Sequence, residues 1–241
     1  MQVIPVHMPH EITPSDDMPG IVASCGVSDG DILVVAQKAV SKQEGRIVRL
    51  DSIRPSPLAE GIASQYGKDP RIMHLILAES RRIIRMGRGI IIVETNSGLV
   101  CANAGIDESN MEAGYAALLP KDPDASALAM SLKIKEITGN SIPVIISDTF
   151  GRPFRMGQTD CAIGVCGLDP ILDYAGKRDS FGRNLRVTEI AIADELCAAA
   201  ELVMGKSLGN PAAIIRGYEF DPGNGTSARL LRPEPEDLFR N

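Results

Sequence analysis

The sequence lacks tryptophan, and Phe, Trp and Tyr together make up only 4% of its 241 residues. We therefore expect a core of Ile, Leu, Val, Ala and Met. No apolar run approaches the roughly 20 residues of a membrane-spanning helix, and no signal peptide is visible at the amino terminus. A net charge of −6 argues against binding nucleic acid through bulk electrostatics. These absences predict a soluble, cytoplasmic protein without a membrane or nucleic-acid partner.

The usual zinc ligands are scarce and poorly spaced. The three histidines show no HxH or HExxH pattern, and the five cysteines include no CxxC pair, so a zinc site is not expected. The cysteines are expected to be reduced and mostly buried, because Cys in an apolar segment packs as a small hydrophobic residue. No GxSxG motif and no recognisable cysteine nucleophile motif occurs, which disfavours covalent hydrolase chemistry.

Apolar runs and turn signals predict a mixture of strands and helices. Strands are expected at 1–6, 32–37, 47–50, 143–149, 161–167 and 212–217, with a hairpin at 89–105. Helices are expected after Ser15, from Ser56-Pro57, from Asp69-Pro70 through Ile83, at 122–139 and from Thr188 to Gly205. Residues 38–46 interrupt the pattern. The order predicts a single α+β or mixed α/β domain over 1–241, unlike a Rossmann fold, with a polar tail at 225–241.

Two segments carry carboxylates just after apolar strands. In "SDTFGRPFRMGQTDCAIG", Asp148 and Thr149 offer hard oxygen atoms that suit Mg²⁺ or Mn²⁺. Arg152 and Arg155 can neutralise phosphate oxygens, although a charged turn with an Asp–Arg pair is the alternative. In "ANAGIDESN", Asp107 either points into a cleft or caps the following segment.

Two further segments suggest an anion site. "MGKSLGN" contains Gly-Lys-Ser but is not a P-loop, because Ala200 stands where the first glycine is needed and the tripeptide follows a helix. Its glycine-rich turn can still present N–H groups to phosphate. In "QKAVSKQEGR", Lys42 and Arg46 are candidate phosphate or carboxylate contacts, and a solvated hairpin connection is the alternative.

Together, the stretches "AQKAVSKQEGR", "NAGIDESN", "ISDTFGRPFRMGQTDCAIGV", "ELVMGK" and "IIRG" resemble, in this order, the coenzyme F420-0:L-glutamate ligases (gamma-glutamyl ligases). The resemblance extends from the first strand to about Arg232. It implies that GTP phosphorylates the terminal carboxylate of F420-0, that L-glutamate displaces the phosphate, and that a later glutamate joins F420-1 through a gamma linkage. It also implies two Mg²⁺ or Mn²⁺ ions, K⁺ and an intertwined homodimer.

The resemblance also assigns residues. It implies that Asp107 and Asp148 are catalytic, and that both bind metal together with Thr149. The implied nucleotide contacts are Pro9, His10, Glu11, Ile12, Ser41, Lys42, Arg46, Asn110, Met204, Gly205, Lys206, Ser207, Leu208, Gly209, Asn210 and Pro211.

Two departures from the family pattern stand out. Residues 9–12 are more polar than the corresponding turn often is. Lys206 stands where many archaeal members carry Gln, whose amide can bind a second metal; an ammonium cannot, although it can contact phosphate. The alternatives are a paralogous GTP-dependent ligase for another carboxylate and a non-catalytic GTP-binding regulator. Intact Asp107 and Asp148 favour catalysis.

Overall fold

The computed structural model describes residues 1–109, 111–184 and 188–239. The α-helices are α1 (Met18–Ser24), α2 (Gln37–Gln43), α3 (Pro57–Tyr66), α4 (Pro70–Ala78), α5 (Pro123–Thr138) and α6 (Ile192–Met204). The strands are β1 (Gln2–Val6), β2 (Ile32–Ala36), β3 (Ile47–Arg49), β4 (Ser80–Gly87), β5 (Ile90–Thr95), β6 (Val100–Ala102), β7 (Tyr115–Ala117), β8 (Val144–Gly151), β9 (Gln158–Cys166), β10 (Leu172–Asp173), β11 (Glu189–Ile190) and β12 (Ala212–Arg216). Within the described ranges, no helix has both the length and the apolar composition of a membrane span.

A five-stranded sheet with the order β1-β12-β2-β8-β9 forms the centre of the fold. Only β2 and β8 pair in parallel, whereas the other three pairings are antiparallel. Consequently β1, β2 and β8 run in one direction, and β9 and β12 run in the other. We call the edge where β1, β2 and β8 end the carboxyl edge. The mixed and antiparallel sheets confirm the predicted mixed α/β architecture.

Helices cover both faces of this sheet because its strands are apolar on both sides. In β2, Leu33 and Val35 pack in a buried cluster with α1 and α5, whereas Ile32 and Val34 pack in another with α6. Alternate residues of a strand point to opposite faces. The result is a three-layer arrangement of helix, sheet and helix.

A second group of elements has its own buried cluster. It contains α3, α4, the three-stranded sheet β4-β5-β6 and the β3-β7 ladder, with Met73, Ile76 and Ile91 among its fully buried side chains. The predicted helix starts are confirmed here. The side chains of Ser56 and Asp69 cap α3 and α4, and each helix has proline in its first turn.

Other local predictions are also confirmed. The hairpin over 89–105 forms as β5 and β6, which pair antiparallel around the turn at Gly98. The helix over 122–139 forms as α5, which Asp122 caps at its start. Gly139 ends it in the left-handed conformation, which glycine adopts without strain.

Three helix predictions were wrong at their boundaries. Asp17, not Ser15, caps α1. The helix from Asp69-Pro70 ends at Ala78, and Ile83 lies in edge strand β4, which pairs with β5. The last long helix starts at Ile192 rather than Thr188, because Glu189 and Ile190 pair with β10 as a short strand. In each case a tertiary contact or a competing cap overrides local propensity.

The prediction that residues 38–46 break the pattern of strands and helices was also wrong, because residues 37–43 form helix α2. Gln37 and Ser41 are buried on this helix, and the Gln37 amide donates to Ser41 Oγ over 2.7 Å. Polar side chains on the buried side conceal the usual amphipathic pattern.

The described part of the tail docks on the chain itself. The backbone N–H of Ser227 donates to Asp124 at 3.0 Å, and Arg229 pairs with Asp169. Further along, Glu234 pairs with Arg82 of β4 at 2.9 Å. The tail therefore connects α5 and the loop after β9 with the three-stranded sheet.

Candidate active site

The carboxyl edge brings most of the predicted segments together. Residues 7–12 follow β1, α2 follows β2, Asp148 lies near the end of β8, and 204–211 lead into β12. The backbone N–H of Met8 donates to Gly209 O at 2.9 Å, and His7 Nδ1 lies 3.1 Å from Asn210 Oδ1. Strand direction explains this convergence, since each of these segments is attached to the same edge of one sheet.

The turn at 9–12 leans on helix α2. Lys42 forms an ion pair with Glu11, and the Lys42 side chain is largely buried. His10 Nε2 lies 2.9 Å from Asp16 Oδ1. Pro9 is exposed, whereas Ile12 packs in the core. In residues 9–12, therefore, Ile12 is a buried anchor, and the side chains of His10 and Glu11 are accessible.

Two predicted nucleotide residues point inward. Ser41 is buried and its hydroxyl donates to Leu118 O at 2.6 Å. Arg46 donates from Nε to Leu119 O at 2.9 Å and from Nη2 to Glu79 at 2.7 Å. These contacts tie α2 to the segment after β7. Their roles toward a nucleotide stay predictions, and the predicted contact Asn110 lies outside the described residues.

Asp107 is held in place by a lysine that sequence reasoning missed. Lys38, in the first turn of α2, places Nζ 2.8 Å from Asp107 Oδ2 and also donates to Ser109 O at 2.8 Å. The Ser109 backbone N–H donates to Asp107 Oδ1 at 2.7 Å, as in an Asx turn. Burial raises the pKa of Asp107, but the hydrogen bonds from Lys38 and Ser109 outweigh it and hold the pKa below its ordinary value.

The hairpin β8-β9 places a second aspartate beside the predicted metal ligands. In the ladder, Thr149 is opposite Asp160 and Asp148 is opposite Cys161. Thr149 Oγ1 donates to Asp160 Oδ1 at 2.6 Å, and Ser147 Oγ donates to the other oxygen at 3.3 Å. Asp160 is almost fully buried. Sequence reasoning missed Asp160, because only its pairing with Thr149 across the hairpin brings it to this group.

Lys206 reaches the same group from the loop after α6. Its Nζ donates to Thr149 Oγ1 at 2.6 Å and to Asp160 Oδ1 at 3.1 Å. The segment 204–211 therefore contacts the end of β8 directly through this side chain.

The charge of Asp148 is disfavoured by its surroundings. Burial raises its pKa to about 7; the Thr149 backbone N–H opposes this, the charges of Asp160 and Asp107 raise the pKa further, and Lys206 lowers it. The Asp148 carboxylate therefore lies within electrostatic range of both Asp160 and Asp107. Such crowding of carboxylates is characteristic of sites that accept a cation.

The donor chemistry fits a hard divalent cation. Asp107, Asp148 and Thr149 offer carboxylate and hydroxyl oxygens, which Mg²⁺ and Mn²⁺ prefer. Across 1–109, 111–184 and 188–239, no group of three or more His, Cys, Asp and Glu side chains forms a ready cage for a metal. Mg²⁺ usually takes one or two carboxylates and completes its shell with substrate phosphates and water. The residues therefore fit an ion that is shared with a phosphate group.

The two arginines lie in the exposed turn of the β8-β9 hairpin. Arg152 donates from Nη2 to Met156 O at 2.7 Å, and both Arg152 and Arg155 are exposed. Among the ion pairs of the described residues, neither arginine pairs with an aspartate. The Asp–Arg turn considered above does not form.

Two cavities among the described residues lie at the opposite edge of the sheet. One of about 320 Å³ follows the end of β12, and Asp169, Glu219 and Asp221 are among its lining residues. Three carboxylates disfavour a polyanionic nucleotide there. We therefore place the candidate active site at the carboxyl edge, on its chemistry rather than on cavity size.

Comparison with known proteins agrees with the resemblance seen in the sequence. The family model described as F420-0:Gamma-glutamyl ligase matches residues 7–217. A protein of Methanothermobacter thermautotrophicus is 53% identical over 88% of this chain and 85% of its own length. Proteins of Methanocaldococcus jannaschii and Methanopyrus kandleri are 46% and 42% identical over 92% and 100% of this chain and 89% and 98% of their own lengths. All three are named coenzyme F420:L-glutamate ligase. The chain therefore belongs to the F420-0:gamma-glutamyl ligase family and is a ligase.

Proposed function

We propose that this ligase joins L-glutamate to coenzyme F420-0 with GTP as the phosphoryl donor. The observation that carries the proposal is the convergence of Asp107, Asp148 and the loop 204–211 at one sheet edge, in a chain of this family. Carboxylates that bind a cation and a glycine-rich turn that binds phosphate are what phosphoryl transfer requires.

The proposed chemistry has two steps. The γ-phosphoryl group of GTP moves to an oxygen of the terminal F420-0 carboxylate, and GDP leaves. The glutamate amine then attacks the acyl carbon, the bond to the phosphate oxygen breaks, and phosphate leaves with that electron pair while the amine loses a proton. The products are an amide, GDP and phosphate. A second glutamate is added to F420-1 through its gamma-carboxylate in the same way.

We assign the nucleotide to the cleft between residues 9–12, α2 and 204–211. Gly205 and Gly209 have φ values of +57° and +70°, and without a Cβ atom their backbone can approach a phosphate closely. Lys42 and Lys206 add positive charge on the two sides of this cleft. Ser41, Arg46 and Asn110 complete the proposed contacts, the first two by shaping α2 and its exit.

Asp107 and Asp148 are the groups that would hold Mg²⁺ or Mn²⁺, and Thr149 is the further oxygen ligand that a second ion would take. Such an ion supplies neutralising charge for phosphate oxygens during transfer. Lys38 and Ser109 position the Asp107 carboxylate, and Asp160 orients the Thr149 hydroxyl through their 2.6 Å hydrogen bond. We also propose the K⁺ dependence and the intertwined homodimer that the resemblance implies, and a cytoplasmic location.

Two other functions remain for comparison. A paralogous GTP-dependent ligase would act on a different carboxylate, and a regulatory GTP-binding protein would not catalyse. Asp107 and Asp148 favour catalysis, because a protein that only binds GTP needs fewer hard oxygen ligands.

The test is to incubate the protein with GTP, Mn²⁺, L-glutamate and F420-0 and to follow product mass. We expect F420 products that gain one and then two glutamyl residues, together with GDP. Asp148→Asn should abolish the reaction, whereas Asp51→Asn, in an exposed ion pair with Arg49, should not. Tight GDP binding without glutamate addition would refute the ligase proposal, and a near-normal rate for Asp148→Asn would refute the metal assignment.

A further inference from the structure

The Lys206 ammonium lies among oxygen atoms that could otherwise bind a cation. It is 2.6 Å from Thr149 Oγ1, 3.1 Å from Asp160 Oδ1 and 3.6 Å from Glu201 Oε1. The Asp160 side chain is only 4% exposed, whereas that of Lys206 is 59% exposed. The lysine therefore approaches from solvent and brings its charge to a buried carboxylate.

The local backbone directs the lysine to this position. Lys206 follows Gly205, which ends α6 with φ +57° and ψ −178°. Such a φ is unfavourable for residues with a side chain, so glycine makes this change of direction without strain. Glu201, one helical turn earlier, lies on the same side as the ammonium.

The two kinds of cation compete for the same oxygens. Mg²⁺ binds oxygen at about 2.0–2.1 Å, closer than the ammonium lies to either ligand. Because Lys206 already uses Thr149 Oγ1 and Asp160 Oδ1, a divalent ion at those atoms requires the ammonium to leave. An ammonium and a divalent ion placed side by side would also repel each other strongly.

We propose that the Lys206 ammonium takes the place of a second divalent cation beside Thr149 and Asp160, so that the active site holds one divalent ion, at Asp107 and Asp148. This inference rests on the proposed function. Asp160 is then a positioning residue that fixes the ammonium, and the ammonium is a built-in positive charge facing the phosphate cleft.

The fixed charges of the site partly balance one another. Asp107, Asp148 and Asp160 together carry three negative charges when ionised, and Lys38 already neutralises part of that charge at Asp107. The fixed positive charge of Lys206 neutralises Asp160. One divalent ion then suffices for the carboxylates that remain, so the chain needs no second ion to hold the site together.

The test counts bound Mn²⁺ in the presence of GDP by electron paramagnetic resonance and by isothermal titration. We expect about one Mn²⁺ per chain for the wild type. Lys206→Gln should bind about two and show spin coupling between neighbouring ions, because the amide oxygen can act as a ligand. Lys206→Arg keeps the charge and should bind one, and Lys133→Gln, a change in a surface pair with Glu136, is the matched control and should also bind one.

Two or no Mn²⁺ ions in the wild type overturn the proposal, as does a single ion in Lys206→Gln. Because Lys206 is mostly exposed, the variants should fold, and thermal melting checks this. The count is independent of the glutamate assay. A wild type that adds glutamate but binds two ions contradicts this inference and leaves the ligase function standing; one that binds one ion but adds no glutamate contradicts the function and leaves the count standing.

Discussion

Arg46 provides a test of how helix α2 is anchored beneath the site. Its guanidinium donates to Leu119 O at 2.9 Å and to Glu79 at 2.7 Å, and the side chain is 15% exposed. Replacing Arg46 by Met removes both hydrogen bonds and leaves Glu79, which is 29% exposed, without this partner. Hydrogen bonds to charged groups contribute about 1.5–3 kcal/mol. Because Glu79 can partly rehydrate, we expect a loss of about 2 kcal/mol in the free energy of unfolding.

For a chain of this size, that loss corresponds to a fall in Tm of about 4–8 °C. Calorimetry of Arg46→Met against Arg54→Met, a change at an exposed arginine, gives the comparison. Combining Arg46→Met with Glu79→Gln should show a coupling energy of about 1 kcal/mol, since neighbouring groups are not additive. If Arg46→Met melts like Arg54→Met while its GTP affinity falls, the anchoring argument is wrong and Arg46 acts only on the nucleotide.

Three further predictions concern the rest of the chain. Burial raises the pKa of Asp31, but hydrogen bonds from Arg216 and a backbone N–H hold it below its ordinary value. The ionised carboxylate therefore stabilises the fold above about pH 4, and this stabilisation is lost as pH falls. In Asp31→Asn, the free energy of unfolding, measured with urea at a series of pH values, should fall less steeply in acid than in the wild type. Gly164→Ala should lower the free energy of unfolding by about 1–3 kcal/mol, because the added Cβ would lie 2.5 Å from the backbone at the start of α5. Gly61→Ala, which has open space around it in α3, should raise the free energy of unfolding by about 0.5–1 kcal/mol. Equal melting temperatures for the two variants would contradict this prediction. Cys25 is exposed, whereas burial raises the pKa of the other four cysteines, so iodoacetamide should label Cys25 first, as peptide mass mapping can check.

Much of the fold could be predicted because its signals are local. Proline and a capping side chain mark the starts of α3, α4 and α5, and apolar runs mark β1, β2, β8 and β12. Helix α2 was missed because its buried side carries Gln37 and Ser41. Strand β4 was mistaken for helix because only its pairing with β5, a tertiary contact, makes it a strand.

The site was predictable where a carboxylate follows an apolar run of the sequence. Asp107 and Asp148 stand out in this way, and in the structure the charge of Asp107 raises the pKa of Asp148. Lys38 and Asp160 could not be identified, because each acquires its role from a partner distant in sequence, at Asp107 and at Thr149. The strands of the hairpin extend through Gly151 and from Gln158, farther into the glycine- and arginine-rich stretch than its composition suggests.

The most direct test of the account is a crystal structure with GDP and Mn²⁺, with the metal located by anomalous scattering. We expect the nucleotide at the carboxyl edge, between residues 9–12 and 204–211, and a manganese peak contacting Asp107 and Asp148. GDP in the acidic cavity beyond β12, with the Lys38–Asp107 pair undisturbed and no manganese at Asp148, would contradict it.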